Sequence, residues 1–292
     1  MTGATAGFGR VAAGLLLARP GTRLIVGARG AALPGAETLP VDLASLARVR
    51  RFAGAVLAAL GEGAIDSLIL NAGLQFADAA HHSADGFETT FAVNHLAHYQ
   101  LLRLLLPRIA AGGTILLTSS GTHDPAENTI IPPPRHATAE LLAYPDRDPN
   151  RDQKPGQAGG RAYSASKLCN ILTARALLPL VAERGVTVVA YDPGATPGTG
   201  LVRSASWPVR LAWRLPPWLL RPLLRETSTL AEAGTALADL GTGAIRPPAG
   251  RLYATLRGGR LTWPDPSVLA RDDAAMTALW QDSERLIEQA GA

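Results

Sequence analysis

Short apolar runs bounded by Gly, Asn, Asp or Ser alternate along the chain with longer stretches whose apolar residues recur at helical spacing. The runs RLIVGAR (23–29), LPVDL (39–43), IDSLILNAG (65–73), GTILLTSS (113–120), GVTVVAYDPG (185–194) and LYATL (252–256) predict strands. Helical patterns cover 11–18, 44–60, 87–109, 161–183 and 272–290. Several strands are nearly continuous in apolar character, as expected when both faces of a sheet are covered. Strand and helix in alternation predict an α/β fold with a doubly wound, mostly parallel sheet. One domain over 1–292 accounts for the pattern.

Two segments interrupt it. Residues 121–160 carry PPP at 132–134 among many Asp, Arg and Gly, and are expected to be a long loop or insertion. Residues 204–225 hold Trp207, Trp213 and Trp218 among arginines and leucines. There are no internal repeats.

Composition narrows the function classes. Of 292 residues, 47% are hydrophobic and 18% charged, which is globular rather than disordered. The single cysteine, Cys169, excludes an internal disulfide and a Cys-based zinc site, and suits a reducing cytoplasm. Net charge is +4, but no Lys/Arg block suggests nucleic-acid binding; the only lysines are Lys154 and Lys167. The N-terminal residues show no leader-like pattern. No uncharged apolar stretch reaches the ~20 residues of a membrane span. His81 and His82 are adjacent, and His95 and His98 have no accompanying carboxylate, so no metal site is expected.

The candidate chemistry starts with the glycines. TGATAGFG places Gly3, Gly7 and Gly9 ahead of a helix, where they permit a tight turn and bring backbone N–H groups and the helix dipole to a pyrophosphate. A glycine-rich turn alone explains the same pattern equally well. NAG (71–73), Ser120 and Pro193–Gly194 each end a predicted strand, and Tyr163 and Lys167 share one helical face. Carboxyl ends of parallel strands face one crevice, so these groups converge there. Ser119 is a rival to Ser120, and a helical Tyr can also be a core residue with its hydroxyl bonded.

In this order, TGxxxGxG, NAG, Ser, YxxxK and PG resemble the short-chain dehydrogenase/reductase family over essentially the whole chain. YSASKLCN (163–170), VNHLAHYQLLRLLLP (93–107) and PGATPGTGLVR (193–203) look closest to its retinol-dehydrogenase-like and protochlorophyllide-reductase-like branch. The resemblance implies a Rossmann-like sheet and an oxidoreductase acting on CH–OH or C=O groups. It implies Tyr163 as proton donor, with Lys167 tuning it and holding the nicotinamide ribose. Ser120 would orient the substrate oxygen, and Asn94 would support a relay water. Cofactor contacts are implied for Gly3, Thr5, Gly7, Phe8, Gly9, Asp42, Leu43, Asn71, Ala72, Gly73, Pro193, Gly194, Thr196 and Thr199, besides Tyr163 and Lys167. Asp42 could instead cap the following helix.

The strand 23–29 ends Gly27-Ala28-Arg29 with no acid for the ribose hydroxyls of NAD, so Arg29 points to the 2′-phosphate of NADPH. The family places a variable substrate lid at 204–225, where the tryptophans suggest a bulky, largely apolar small molecule; a membrane-surface contact is the lesser reading. The expected activity is NADPH-dependent reduction of a ketone or aldehyde. C=C reduction of the protochlorophyllide type and a non-catalytic dinucleotide-binding role are the alternatives. A homo-oligomer is implied by resemblance only. The family also has a strand before TGxxxGxG, here at Met1; without it the sheet is expected to divide in two, with weakened stability or activity. Ser120 and Tyr163 lie 43 residues apart, which suits this branch's insertions.

Overall fold

The computed structural model describes residues 1–30, 32–198 and 227–291. Thr199 and the expected lid at 204–225 lie outside the described residues. The strands are β1 (Ile25–Ala28), β2 (Glu37–Pro40), β3 (Ile65–Leu70), β4 (Ile109–Thr118), β5 (Thr187–Asp192), β6 (Tyr253–Arg257) and β7 (Arg260–Thr262). β1 and β2 pair as one parallel sheet; the others form a second in the order β3-β4-β5-β6-β7, parallel except for β7. The expected division of the sheet is therefore present. Between β1 and β3, Met1 O accepts from Gly27 N (3.0 Å) and Thr2 N donates to Ile69 O (3.0 Å). A single parallel bridge, Thr2 to Gly27, marks that strand position.

The helices are α1 (Gly7–Leu17), α2 (Leu46–Leu60), α3 (Thr89–Phe91), α4 (Ala97–Leu105), α5 (Ala139–Ala143), α6 (Pro155–Val181), α7 (Leu230–Gly241) and α8 (Asp273–Gln289). Strand side chains alternate between two apolar clusters, as a period of two requires. Leu68, Leu70, Ile115, Leu117, Val188 and Ala190 join the cluster beneath α2, α4, α6 and α8. Ile69, Leu116, Val189, Tyr191, Ala254 and Leu256 join the one beneath α1 and α7. Both faces are thus covered, which is why the strands read as apolar throughout.

Several boundaries differ from the pattern in informative ways. The helix expected over 87–109 contains a π turn at Ala92–Leu96 joining α3 to α4, and β4 already starts at Ile109. The segment 121–160 is not simply a loop: it holds α5, three 3-10 turns and the first turn of α6. α7, rich in Ala and Gly, has too weak a polar face to stand out in sequence. α6 extended to Arg184 is the one described helix long and apolar enough to cross a membrane, but it is mostly buried between sheet and helices.

Caps set the helix starts. Ser45 Oγ accepts from Arg48 N at the head of α2, and Asp272 Oδ1 from Ala275 N at the head of α8. Thr229 and Glu232 form a reciprocal box on α7: Glu232 N donates to Thr229 Oγ1 (3.1 Å) and Thr229 N to Glu232 Oε2 (2.7 Å). Thr229→Ala removes one acceptor from this helix end and is expected to cost about 1 kcal/mol in urea unfolding. An unchanged midpoint would show that α7 is held by packing alone.

Candidate active site

α1 opens on the glycine-rich turn. Its N-cap, Ala6, offers no side-chain acceptor, and its first turn has no acid, so the leading N–H groups face outward with the positive helix end. Gly3 has φ +67°, and a Cβ there would lie 2.7 Å from both Ala72 N and Asn71 Nδ2. A Cβ on Gly9 would sit 2.1 Å from Gly3 O. Only glycine lets the turn fold this closely onto 71–73. Gly7 has positive φ, Thr5 is exposed and Phe8 is half-buried.

Thr2 joins this turn to the rest of the crevice. Its Oγ1 accepts from Asn71 N (3.0 Å) and Ala72 N (3.1 Å), so its proton points to His98 Nε2 at 3.0 Å. His98 therefore carries its hydrogen on Nδ1, which donates to Asn94 O (3.1 Å). Burial, with Lys167 adding to it, lowers the His98 pKa to about 4. Asn94 lies in the π turn, fully buried. Its Oδ1 accepts from Leu74 N, and its Nδ2 donates to Leu74 O and Ser166 Oγ. Its side chain is thus committed to Leu74 and Ser166, and its main-chain oxygen accepts from His98. π turns inside helices are frequent at functional sites.

The chemical groups meet above β4 and β5. Lys167 Nζ donates to Thr118 O (3.0 Å), an oxygen shared with Asn170 Nδ2 (2.9 Å), and lies close to Gly73, where a Cβ would sit 3.3 Å away. Desolvation moves the Lys167 ammonium down to about 8, opposed by the negative Asp192. Tyr163, 5% exposed, lies on the same helix with its ring centroid 5.7 Å from Lys167 Nζ. Burial pushes its phenol well up; the Ser120 hydroxyl pulls it down and Asp192 raises it further. The Lys167 ammonium lies beside the ring, bonded to Thr118 O, and burial is the largest influence on the phenol.

The two serines separate clearly. Ser119 Oγ is buried and donates to Lys167 O (2.9 Å), a structural bond. Ser120 Oγ is half-buried and interacts with Tyr163. Its own carbonyl accepts from His123 Nδ1 (2.8 Å), while His123 Nε2 accepts from Ser267 N (3.2 Å). A neutral His123 thus fixes the backbone at Ser120.

The other expected positions fall as follows. Asn71 Nδ2 donates to Gly3 O, and its Oδ1 accepts from Thr118 Oγ1. Ala72 and Gly73 continue this strand end. Arg29 is exposed immediately after β1. Asp42 accepts from Ala44 N in a turn, whereas Ser45 caps α2, so the alternative that Asp42 caps it is corrected. Leu43 sends its side chain into the core. Pro193 and Gly194 follow β5, and Thr196 Oγ1 donates to Pro193 O (3.1 Å). Cys169 is buried in the apolar core with its thiol pushed up, a packing residue. His95 bonds Ser283 Oγ and His98 bonds Thr2; no group of three potential metal ligands occurs among the described residues.

Thr2, His98, His123, Asp192 and Arg257 also shape the crevice, though none of them was among the expected site residues. Two signals were available: His98 stands one helical turn after Asn94, and Asp192 and Arg257 are charges at the ends of otherwise apolar strands.

The uncapped glycine turn fits a dinucleotide, on a Rossmann-like sheet with Ser120, Tyr163 and Lys167 beside it. Such a protein is a dinucleotide-binding oxidoreductase by class. A sequence profile of the family described as "short chain dehydrogenase" matches residues 1–129. Dehydrogenase/reductase SDR family member 13 of Bos taurus is 31% identical over 98% of this chain and 72% of its own. Polyprenol dehydrogenase of Mus musculus is 32% identical over 100% and 84%, and retinol dehydrogenase 12 of Bos taurus 30% over 98% and 85%. A solved structure of an uncharacterized protein from Mycobacterium Paratuberculosis aligns with TM-score 0.67 and 28% identity over 98% and 91%. A short chain dehydrogenase from Burkholderia cenocepacia in complex with NADP shares the fold, with TM-score 0.59 and 21% identity over 88% and 95%. The chain belongs to the short-chain dehydrogenase/reductase family, near its retinol-dehydrogenase-like branch, and is an oxidoreductase acting on CH–OH and C=O groups.

Proposed function

We propose that this protein is an NADPH-dependent reductase of a ketone or aldehyde carried by a bulky, largely apolar small molecule. The convergence of Ser120, Tyr163 and Lys167 at the carboxyl ends of β4 and β5, beside the glycine turn, carries this reading. When bound, the reduced nicotinamide supplies the hydride. The α1 N-terminus and the Gly3–Gly9 turn would hold the pyrophosphate, and Lys167 with Asn71–Gly73 the nicotinamide side. Ser120 Oγ orients the carbonyl oxygen, and Tyr163 Oη donates the proton. Burial keeps that proton on Tyr163 at neutral pH, so the donor is loaded before substrate arrives. The polyprenol- and retinol-named relatives, together with Trp207, Trp213 and Trp218, support a long or flat apolar substrate.

Arg29, with no acid at the end of β1, supports NADPH over NADH. Titration by nicotinamide fluorescence tests this directly. The expected result is saturable NADPH binding, much tighter than NADH. In Arg29→Ala, NADPH affinity falls about tenfold or more, the magnitude of a charge-assisted hydrogen bond, while NADH affinity stays nearly constant. Equal loss of both cofactors would sink the 2′-phosphate assignment. Turnover of apolar carbonyls, followed by NADPH consumption, tests the reductase reading. Cofactor binding with no turnover across an apolar ketone and aldehyde panel would overturn it.

A further inference from the structure

Beyond the Ser120, Tyr163 and Lys167 set, the crevice contains a buried charge pair that no motif accounts for. Asp192, the last residue of β5, is 1% exposed. Its Oδ1 accepts from Gly194 N (2.9 Å), and its Oδ2 from Tyr253 OH (3.2 Å) and Arg257 Nη2 (2.8 Å). Arg257, the last residue of β6, also reaches Glu127 Oε1 at 3.1 Å, in the segment that follows Ser120. The guanidinium is braced from behind by its Nη1 on Leu256 O (3.1 Å). Between the two loops there is no spare room: a Cβ on Gly121 would lie 2.7 Å from Arg257 Nη2 and 3.1 Å from Asp192 Oδ2.

We propose that Asp192 and Arg257 are a positioning pair for the reducing site, locking the Pro193–Gly194 turn against the Ser120–Glu127 segment and balancing charge beside Tyr163. A buried carboxylate is costly unless paired and hydrogen-bonded, and Asp192 has both kinds of partner. A plain hydrogen-bonding side chain could hold the Gly194 amide. A charge there adds a field, and that field reaches both Tyr163 and Lys167. Arg257 is the counter-charge that limits it.

Among the described residues, the titratable groups around Tyr163 and Asp192 come from four sides. Lys167 is on Tyr163's own helix, and neutral His98 lies behind Lys167. Arg257 and Tyr253 come from β6, and His123, Asp124 and Glu127 from the segment after β4. His123 is held neutral by burial, which leaves Asp192, Arg257, Lys167 and Glu127 as charged groups there.

The inference rests on Ser120 and Tyr163 forming the reducing site, and its test separates the two. Alcohol oxidation with NADP⁺ needs Tyr163 as phenolate to take the alcohol proton while hydride leaves to the cofactor. Its acid-side pH limb therefore reports the field at Tyr163. Arg257→Gln leaves Asp192 uncompensated and is expected to move the limb about one pH unit higher. Asp192→Asn keeps an acceptor for Gly194 N and is expected to move it lower by a similar amount. The double variant is expected to return near the wild-type limb. Pure loss of packing cannot move the singles in opposite directions and cancel in the double. Hydrogen exchange read by mass spectrometry on the cofactor-free protein supplies a readout independent of turnover. In Arg257→Gln, segments 121–127 and 193–198 are expected to exchange faster together, and Arg257→Lys less so. A wild type without turnover but with this joint loosening would fail the reductase reading and keep the positioning role. Unmoved limbs, or exchange that changes in neither segment or only one, would overturn the inference.

Discussion

Tyr163→Phe removes one oxygen and is expected to lower carbonyl turnover by about 10²- to 10⁴-fold, the usual contribution of a positioned acid. NADPH affinity is expected to change by less than about threefold, because the lost hydroxyl faces Ser120 and the substrate rather than the glycine turn. The fold should survive: the ring stays buried, and the partner left behind, Ser120 Oγ, keeps its contacts with Thr122 N and Oγ1. Steady-state kinetics with an apolar ketone and a parallel fluorescence titration separate these quantities. Wild-type turnover in the variant would move the proton donor elsewhere. Loss of cofactor binding in step with turnover would assign Tyr163 to structure instead.

Gly9→Ala is expected to weaken NADPH binding by more than about 100-fold. The added Cβ meets the Gly3 carbonyl at 2.1 Å and Asn71 Nδ2 at 2.6 Å. The first of these is backbone, so no rotamer change relieves it; the turn itself has to open, and overpacking of this kind costs about 1–3 kcal/mol or more. Opening moves the N–H groups proposed to hold the pyrophosphate. Gly14 provides the control on the same helix: it is exposed, and a Cβ there meets nothing within 4 Å. Gly14→Ala is expected to bind NADPH normally and to gain about 0.5–1 kcal/mol from helix propensity. Similar affinity in both variants would mean that the turn does not form the cofactor site.

The architecture was legible wherever one physical signal dominated. Apolar runs such as 68–70 and 188–191 announced a sheet covered on both faces. The glycine spacing announced the turn, and the four-residue spacing of Tyr163 and Lys167 announced a shared face. Legibility failed where tertiary contact decides. The π turn at Ala92–Leu96 has ordinary helical residues, and contacts distant in sequence fix it: Asn94 with Leu74 and Ser166, and His95 with Ser283. α7 has its cap box in plain sight at Thr229 and Glu232, but its Ala-rich faces conceal the period. Spacing reveals that Lys167 is near Tyr163 but not that burial is the larger influence on its phenol. Asp192 and Arg257 are 65 residues apart, and nothing local connects them.

The Thr2, His98 and Asn94 bonds have a further meaning. Each proton in that chain has one permitted place: Thr2 donates to the ring, and the ring donates to Asn94 O. The sequence of donors and acceptors is polar, like a ratchet, and reversing any link would leave both neighbours facing like for like. No member ionises near neutral pH, since the ring holds out to about 4. Protonation of this ring therefore does not break the link between the glycine turn and the π turn near neutral pH.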